Sequence, residues 1–341
     1  MKQLNLVVPG LLGPFSDKLP AHIQQQFNQA EFSVINKCLS KADVSSVSAR
    51  TYYETLVQLI HPENKKTLSQ LTAEHDEIDI SKGYFYRADP VHFKAESDHA
   101  ILIGTELVSP TTEESKQLIK SFNQHFLEDG LSLYFSHAHR WYLKSEKPLS
   151  LTFSALDFSM GRDIKHFMPK GDDALWWRKN LNEAQMLFFQ NEVNEVRESK
   201  GELSINGLWL WDVFAEIAKR DMQIPQQIFS DDVVACALAN QQNISFQSTE
   251  NINDINSTAV LVLNDVYESV CYGDVDAWLN DSERFFKQEY KKVIELLLAG
   301  KVSEINIFPC NGKMYKITKF NLYKFWKKTK TIGQFCDDCR Q

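Results

Sequence analysis

Three arginines in the middle of the chain stand beside residues that could share chemistry with them. Arg87 has Asp89 two residues on, Arg140 follows His137 and His139, and Arg197 lies three residues beyond Asn194, with Asn206 after it. A guanidinium is a rigid fork of donors that fits the paired oxygens of a phosphate or a carboxylate. Arg87 can therefore face a phosphate, or form an ion pair with Asp89 at a strand end. His137 and His139 fall on one face of an alternating strand, which permits chelation or an anion cleft with Arg140. No third ligand stands at a recognisable metal spacing, which favours a solvated strand end over a metal site. His92, Asp98 and His99 are further donors that spacing alone does not bring to them. Asn194 and Arg197 share a helix face, which either caps the helix end or points into a cleft.

The other end of the chain is basic and aromatic. Lys313, Lys316, Lys319, Lys324, Lys327, Lys328 and Lys330 alternate with Tyr315, Phe320, Tyr323, Phe325 and Trp326, with no acid between Glu304 and Asp337. Such a mixture can bind nucleic acid, but a last strand and an amphipathic helix with a solvated lysine face explain it too. Cys336 and Cys339 form a single Cys-x-x-Cys. Zinc needs two more ligands, and a redox motif needs a helix that does not follow, so the pair reads as a tail. No phosphate-binding glycine loop of the Walker or dinucleotide type occurs. Trp176, Trp177, Trp209 and Trp211 read as core or domain-interface packing.

These residues need elements to hold them. Leu4–Val8 reads as a buried first strand turned by Pro9-Gly10, rather than as a secretion signal. Helical spacing follows at 19–30 and 48–60. A polar, charged run at 62–81 marks a boundary. Beyond it come strands at 83–87, 99–103, 131–135 and 139–143, broken by a helix at 112–128 that starts on caps and acids and stops at Asp129-Gly130. A long helix runs over 173–199. The apolar run 208–211 has the texture of a strand in a parallel sheet. Helices at 213–220 and 231–241, strands at 227–229 and 260–263, a long helix at 278–299, strands at 304–308 and 314–318, and a closing helix at 322–328 complete the chain. The outer pieces alternate strand and helix, which predicts a doubly wound α/β sheet domain built from 1–80 and 204–341. The middle, 81–203, reads as an inserted α+β domain.

Composition fits this organisation. The chain has 341 residues, 43% of them hydrophobic and 24% charged, enough for one to three domains at roughly 100–200 residues each. The 37 basic and 45 acidic residues leave a net charge of −8, which argues against a protein that coats nucleic acid. No apolar run is long enough to span a membrane, so a membrane partner is not expected. Six cysteines in a chain of this length are not a disulfide framework. A cytoplasmic protein with reduced thiols is the expectation.

Several stretches together resemble a known family. They are Tyr86-Arg87-Ala88-Asp89-Pro90-Val91-His92, Asp129-Gly130-Leu131 with His139-Arg140-Trp141-Tyr142-Leu143, and Leu181-Asn182-Glu183 followed by 191–197 and Asn206–Trp211. In order and spacing they resemble the cofactor-independent phosphoglycerate mutases, above all the archaeal-type branch, of the alkaline phosphatase superfamily. The match is closer to a proteobacterial group of phosphoglycerate mutase-like proteins, also called regulator of pathogenicity factors E. That group shares the opening 7–14, the Arg87-Ala88-Asp89-Pro90 box, Tyr272-Gly273-Asp274 and the 322–326 stretch. The resemblance implies an alkaline-phosphatase-like sheet domain, and an anion pocket between two domains lined by Arg87, Asp89, His139, Arg140, Asn194, Arg197 and Asn206.

The family's reaction moves a phosphoryl group through a serine nucleophile and two divalent metals, manganese or zinc, which clamp the oxygens and lower the nucleophile's pKa. Its first metal-binding Asp-Gly corresponds here to Pro9-Gly10, which offers no side-chain ligand. All nine histidines precede residue 167, so the family's later His ligands have no counterpart. Asp265, Asp274 and Asp276 are the remnants. The nucleophile has no match, since Ser45, Ser46 and Ser48 stand in a different context. The expectation is a catalytically degenerate relative without a metal cofactor. It would bind a small anionic metabolite such as a phosphoglycerate, or a protein partner, in a regulatory role. The alternatives are an active mutase or phosphatase with relocated ligands drawn from Asp17, Asp43, His61, Asp265 and Asp274, and a nucleic-acid accessory protein using the Lys-rich end.

Overall fold

The computed structural model describes residues 2–13, 19–214 and 223–338. The chain divides into two compact units, Met1–Lys65 with Ala215–Gln341, and Lys66–Phe214. The second unit is thus an insertion in the first. Both of its limits lie outside the 81–203 span expected from composition. Helix Leu68–His75 packs on the inserted sheet, and the 208–211 strand pairs within it, so both segments belong to the insertion.

The described residues of the first unit form a seven-stranded sheet. In chain order its strands are β1 (Gln3–Val7), β2 (Asp43–Ser46), β8 (Gln227–Phe229), β9 (Ser245–Gln247), β10 (Ala259–Val262), β11 (Glu304–Phe308) and β12 (Lys313–Thr318). The spatial order is β2-β12-β11-β1-β10-β8-β9. From β11 to β9 the strands are parallel, while β12 and β2 add an antiparallel edge. β1 is central, which is why its apolar residues are buried from both sides. Leu4 and Leu6 face one layer with Phe27, Phe32, Trp278 and Leu297. On the opposite face Asn5 accepts a 3.0 Å bond from the Asn306 side chain directly across the ladder. Helix Tyr52–Ile60 packs against β1, and helix Val233–Gln241 packs against both β8 and helix Tyr52–Ile60. The unit is an α/β fold.

The inserted unit is organised on one long strand. β3 (Tyr84–Ala95) pairs antiparallel with β4 (Ala100–Ile103), β6 (Arg140–Ser145) and β7 (Gly207–Trp211), and β6 continues to β5 (Leu131–His137). The apolar run 208–211 is therefore not a parallel strand of the outer sheet. It is buried because it lies against β3 on one edge and under helix Ala174–Phe189. The long helix expected over 173–199 is two helices, Ala174–Phe189 and Glu192–Ser199. Asn191 separates them by accepting from the Val193 amide at 3.0 Å, an N-cap inside what reads as one periodic run.

Other differences are local. The Trp278–Ala299 run is Val275–Phe285 and Lys291–Leu298 joined by a π turn at Phe286–Tyr290. The 322–328 helix is absent: a short helix at Lys319–Leu322 precedes turns, and the closing helix is Ile332–Asp338. Most of the 213–220 helix, with Asp17 and Cys339, lies outside the described residues. No helix among the described residues is long and apolar enough to cross a membrane.

Gly207 starts β7 where the Phe93 ring closes over it, and a Cβ there would stand 2.2 Å from that ring. Gly207→Ala is expected to cost about 1–3 kcal/mol through overpacking. A denaturant titration of the full chain would show it as a lowered midpoint.

Candidate functional site

The three arginines belong to the inserted unit, and each is already held by a carboxylate of that unit. Arg87 lies on β3, directly across from Tyr142 on β6 and from Trp211 on β7. Residues opposite one another on a sheet face meet, so its guanidinium sits between the two rings, 5.8 Å from that of Tyr142 and 5.0 Å from that of Trp211. Asp89, two residues along the same face, takes the fork: Nε donates at 3.1 Å, and Nη2 donates at 2.9 and 2.8 Å. The Trp211 indole N–H gives Asp89 a further bond of 2.7 Å. Arg87 is 8% exposed and Asp89 not at all. The Arg87 amide donates to Ser69 Oγ of helix Leu68–His75, which covers this face.

Arg140 continues the network. Its Nε and Nη2 donate to Asp76 at 2.7 and 2.8 Å, and the Tyr142 hydroxyl donates to the same carboxylate at 2.6 Å. Asp76 follows helix Leu68–His75, in the charged run that reads as a boundary in sequence. Burial pushes the Asp76 carboxyl up, but the bonds from Arg140 and Tyr142 and the Arg140 charge outweigh it and hold the carboxyl below its ordinary value. Burial, with Asp76 beside it, pushes the Tyr142 hydroxyl up despite the Arg87 charge, so it remains a donor.

Arg197 is elsewhere in the unit. Its Nε donates to the Leu203 carbonyl at 2.7 Å, Nη1 to Glu114 at 2.8 Å, and Nη2 to the Val108 carbonyl. Glu114 is also the reciprocal partner of Thr111 in the capping box of helix Thr112–His125. Arg197 thus ties the end of helix Glu192–Ser199 to the start of that helix.

The two asparagines stand in for missing ladder partners. The Asn194 amide donates to the Phe188 and Ile205 carbonyls at 2.8 and 2.9 Å and accepts from the Ile205 amide at 2.7 Å. Asn206 accepts from the Phe93 amide at 2.7 Å and donates to its carbonyl at 3.2 Å, so its side chain extends the β3–β7 pairing by one step. His139 lies in the Ala138-His139 hairpin turn, not on a strand, because β6 begins at Arg140. Its buried Nδ1 has no hydrogen-bond partner among the described residues. Of the seven residues, Arg87, Asp89 and Arg140 are linked through one network. Arg197 and Asn194 share the helix Glu192–Ser199, and Asn206 and His139 stand apart. Two cavities, of about 470 and 480 Å³, open at Lys2 with Asn256 and at Asp129 with Trp176, and none of the seven lines either.

The sheet of the first unit offers the usual crevice, outside the carboxyl ends of its parallel strands. Here β1 runs into Pro9-Gly10, where the Gly10 carbonyl accepts from the Trp278 indole at 3.0 Å and Gly10 holds a φ of +76°. Asp274 caps helix Val275–Phe285, and Asp43 is bound by Lys324 and Asn321. His61 is bonded to Gln242 at 2.8 Å. Ser45 and Ser46 are edge-strand residues paired with β12. Among the described residues no three His, Cys, Asp or Glu groups gather where a metal ion could be held. The donor set of the described residues does not fit the pair of divalent metals that the resemblance implies.

A buried ion pair that holds three strands in register responds to mutation differently from an exposed binding arginine. Arg87→Ala leaves Asp89 charged and uncompensated, an expected loss of about 3–5 kcal/mol. Joint replacement, Arg87→Met with Asp89→Leu, is expected to recover most of it, which a double-mutant cycle by urea unfolding reads directly. Asp76 makes the stability of the fold depend on pH. Its folded pKa lies below its unfolded one, so its contribution is full above the unfolded value, roughly 3.9, and is lost as pH falls through the folded value. Asp76→Asn is expected to flatten the acid limb of the stability profile below about pH 4.

No protein-family model matches the sequence, and no curated protein matches it. Among solved structures the chain is similar to the PH0037 protein from Pyrococcus horikoshii, with a TM-score of 0.50 at 13% identity, covering 93% of this chain and 87% of that one. The cofactor-independent phosphoglycerate mutase from Thermoplasma acidophilum aligns with 98% of this chain and 95% of its own at 11% identity, with a TM-score of 0.39. At these identities the likeness to the Pyrococcus protein is one of fold, and the second is too distant to carry an argument.

Proposed function

We propose that the chain is a non-catalytic binding or regulatory protein on a phosphoglycerate mutase-like, alkaline-phosphatase-like scaffold. The observation that carries this reading is the internal use of its charged residues. Arg87, Arg140 and Arg197 are each closed by a carboxylate of the same unit, Asp89, Asp76 and Glu114. A phosphorylated metabolite would have to displace one of them, leaving a buried carboxylate without its partner, which costs several kcal/mol. The reading therefore favours a partner bound at the surface over a phosphoglycerate held by the arginines. The sequence features agree: Pro9 stands where the family has a ligand, and no histidine follows residue 166.

Metal loading tests it. After dialysis against manganese and zinc, the protein is expected to retain less than one ion per chain by elemental mass spectrometry. It is expected to show neither 3-phosphoglycerate turnover nor a calorimetric binding signal with that compound. Two tightly held ions, or metal-dependent mutase or phosphomonoesterase turnover, would sink the non-catalytic reading. Binding of 3-phosphoglycerate lost in an Arg140 variant would restore the anion pocket in its place.

A further inference from the structure

The segment after β12 reverses the usual arrangement of side chains. Phe320, Tyr323, Phe325 and Trp326 are 68, 75, 86 and 62% exposed. The lysines among them turn to the protein instead. Lys324 Nζ lies 2.6 Å from Asp43, and Lys327 Nζ donates to the Ala42 carbonyl at 3.0 Å. Globular surfaces normally do the opposite, keeping ammonium groups in water and rings against the core.

The segment is also pinned. Thr318 and Asn321 form a reciprocal cap, and the Asn321 amide donates to the Lys41 carbonyl and to Asp43, both at 3.0 Å. Lys41 Nζ returns a 2.9 Å bond to the Leu322 carbonyl. The backbone is fastened by polar groups on its inner side, and the rings are left outside. Lys319, Lys328 and Lys330 are exposed around them. Among the described residues Lys330 is paired with Asp338, while Lys319 and Lys328 have no carboxylate partner.

We infer that this aromatic and basic surface is a docking site for an anionic lipid bilayer. Rings at the headgroup level with lysines beside them are the chemistry of peripheral binding to acidic membranes. The ring geometry favours a bilayer over single-stranded nucleic acid. Phe325 and Trp326 pack edge to face, 5.2 Å apart at 82°, and so present no two parallel platforms for successive bases. Insertion into a headgroup layer needs no such order. Because β12 runs antiparallel to β11 and ends opposite Glu304, the segment leaves at the amino edge of the parallel strands. That is the edge away from the crevice considered above, so this inference stands independently of the proposed function.

Co-sedimentation of the full chain with two kinds of vesicle tests it: phosphatidylcholine alone, and phosphatidylcholine mixed with phosphatidylserine. Binding to the mixed vesicles is expected, weakening with salt, with little binding to phosphatidylcholine. Phe325→Ser with Trp326→Ser is expected to reduce the binding by about tenfold or more, the scale of withdrawing large rings from an apolar layer. Lys319→Glu with Lys328→Glu should abolish the preference for phosphatidylserine. Unchanged thermal unfolding of both variants would establish that the fold is intact. Absence of binding to either vesicle, or binding indifferent to the aromatic pair, overturns the inference. So does ring-dependent binding of a single-stranded oligonucleotide without vesicle binding, which would assign the surface to nucleic acid.

Discussion

A guanidinium can be buried only if its charge and its donors are answered on the spot. On β3 the carboxylate that answers it lies two residues along the same strand, and strand pairing supplies the rings around the pair. Arg87 and Asp89 lie on one face, two residues apart, and the ladders place Tyr142 and Trp211 on either side of the arginine. The rings shield the ion pair from water, and the Trp211 N–H takes up acceptor capacity that Arg87 leaves on Asp89. A slip of one residue in β6 or β7 would turn every side chain to the opposite face. A slip of β6 would take the Tyr142 ring from the arginine, and a slip of β7 would take the Trp211 ring and its bond to Asp89. The ion pair thus acts as a register pin for β6, β3 and β7. Buried pairs supply little net stability, so the contribution open to this one is the choice of a single pairing, which the double-mutant cycle separates from stability.

The same principle governs the other polar groups of the inserted unit. Arg140 and Tyr142 converge on Asp76, which brings the end of helix Leu68–His75 onto β6. Arg197 answers two carbonyls and a carboxylate where three segments meet, and Asn194 and Asn206 complete backbone pairing where the ladder runs out. An anion site needs the reverse condition: donors directed at a space that the protein leaves free. The residue types are those of an anion site, while the bonds they make are those of a scaffold.

How much of this could be read beforehand depends on the range of the interaction. The buried parallel strands were legible because each is a short apolar run closed by turn residues, as at 4–8 and 304–308. The Arg87–Asp89 pair was legible as one of two readings because its members are neighbours in sequence. Trp211, 122 residues from Asp89, carries no local mark of its role, and Asp76 is one acid in a charged run. The strand at 207–211 misled because an apolar run reports burial on both sides, not which sheet provides it. The break at Asn191 is a one-residue cap inside continuous helical periodicity, which periodicity averages over. At 322–328 the alternation of rings and lysines satisfied a helical pattern. The outcome was decided by Asn321 and Lys324 bonding to the 41–43 segment, 280 and 281 residues away in sequence.

These observations share one direction. In the inserted unit Arg87, Arg140 and Arg197 are each matched with a carboxylate of the same unit. In the first unit β1 ends in a turn sealed by the Trp278 indole rather than in a carboxylate. The only group of large rings held together in solvent over a few residues, among the described residues, is at 320–326. Keeping four aromatic side chains in water forgoes roughly 1.5–3 kcal/mol for each that the core could have buried. The polar anchors beneath them show that the segment is ordered enough to have been packed otherwise. Three arginines are thus committed to contacts within their own unit, while the rings of 320–326 stand in water above a polar anchorage that holds their backbone in place.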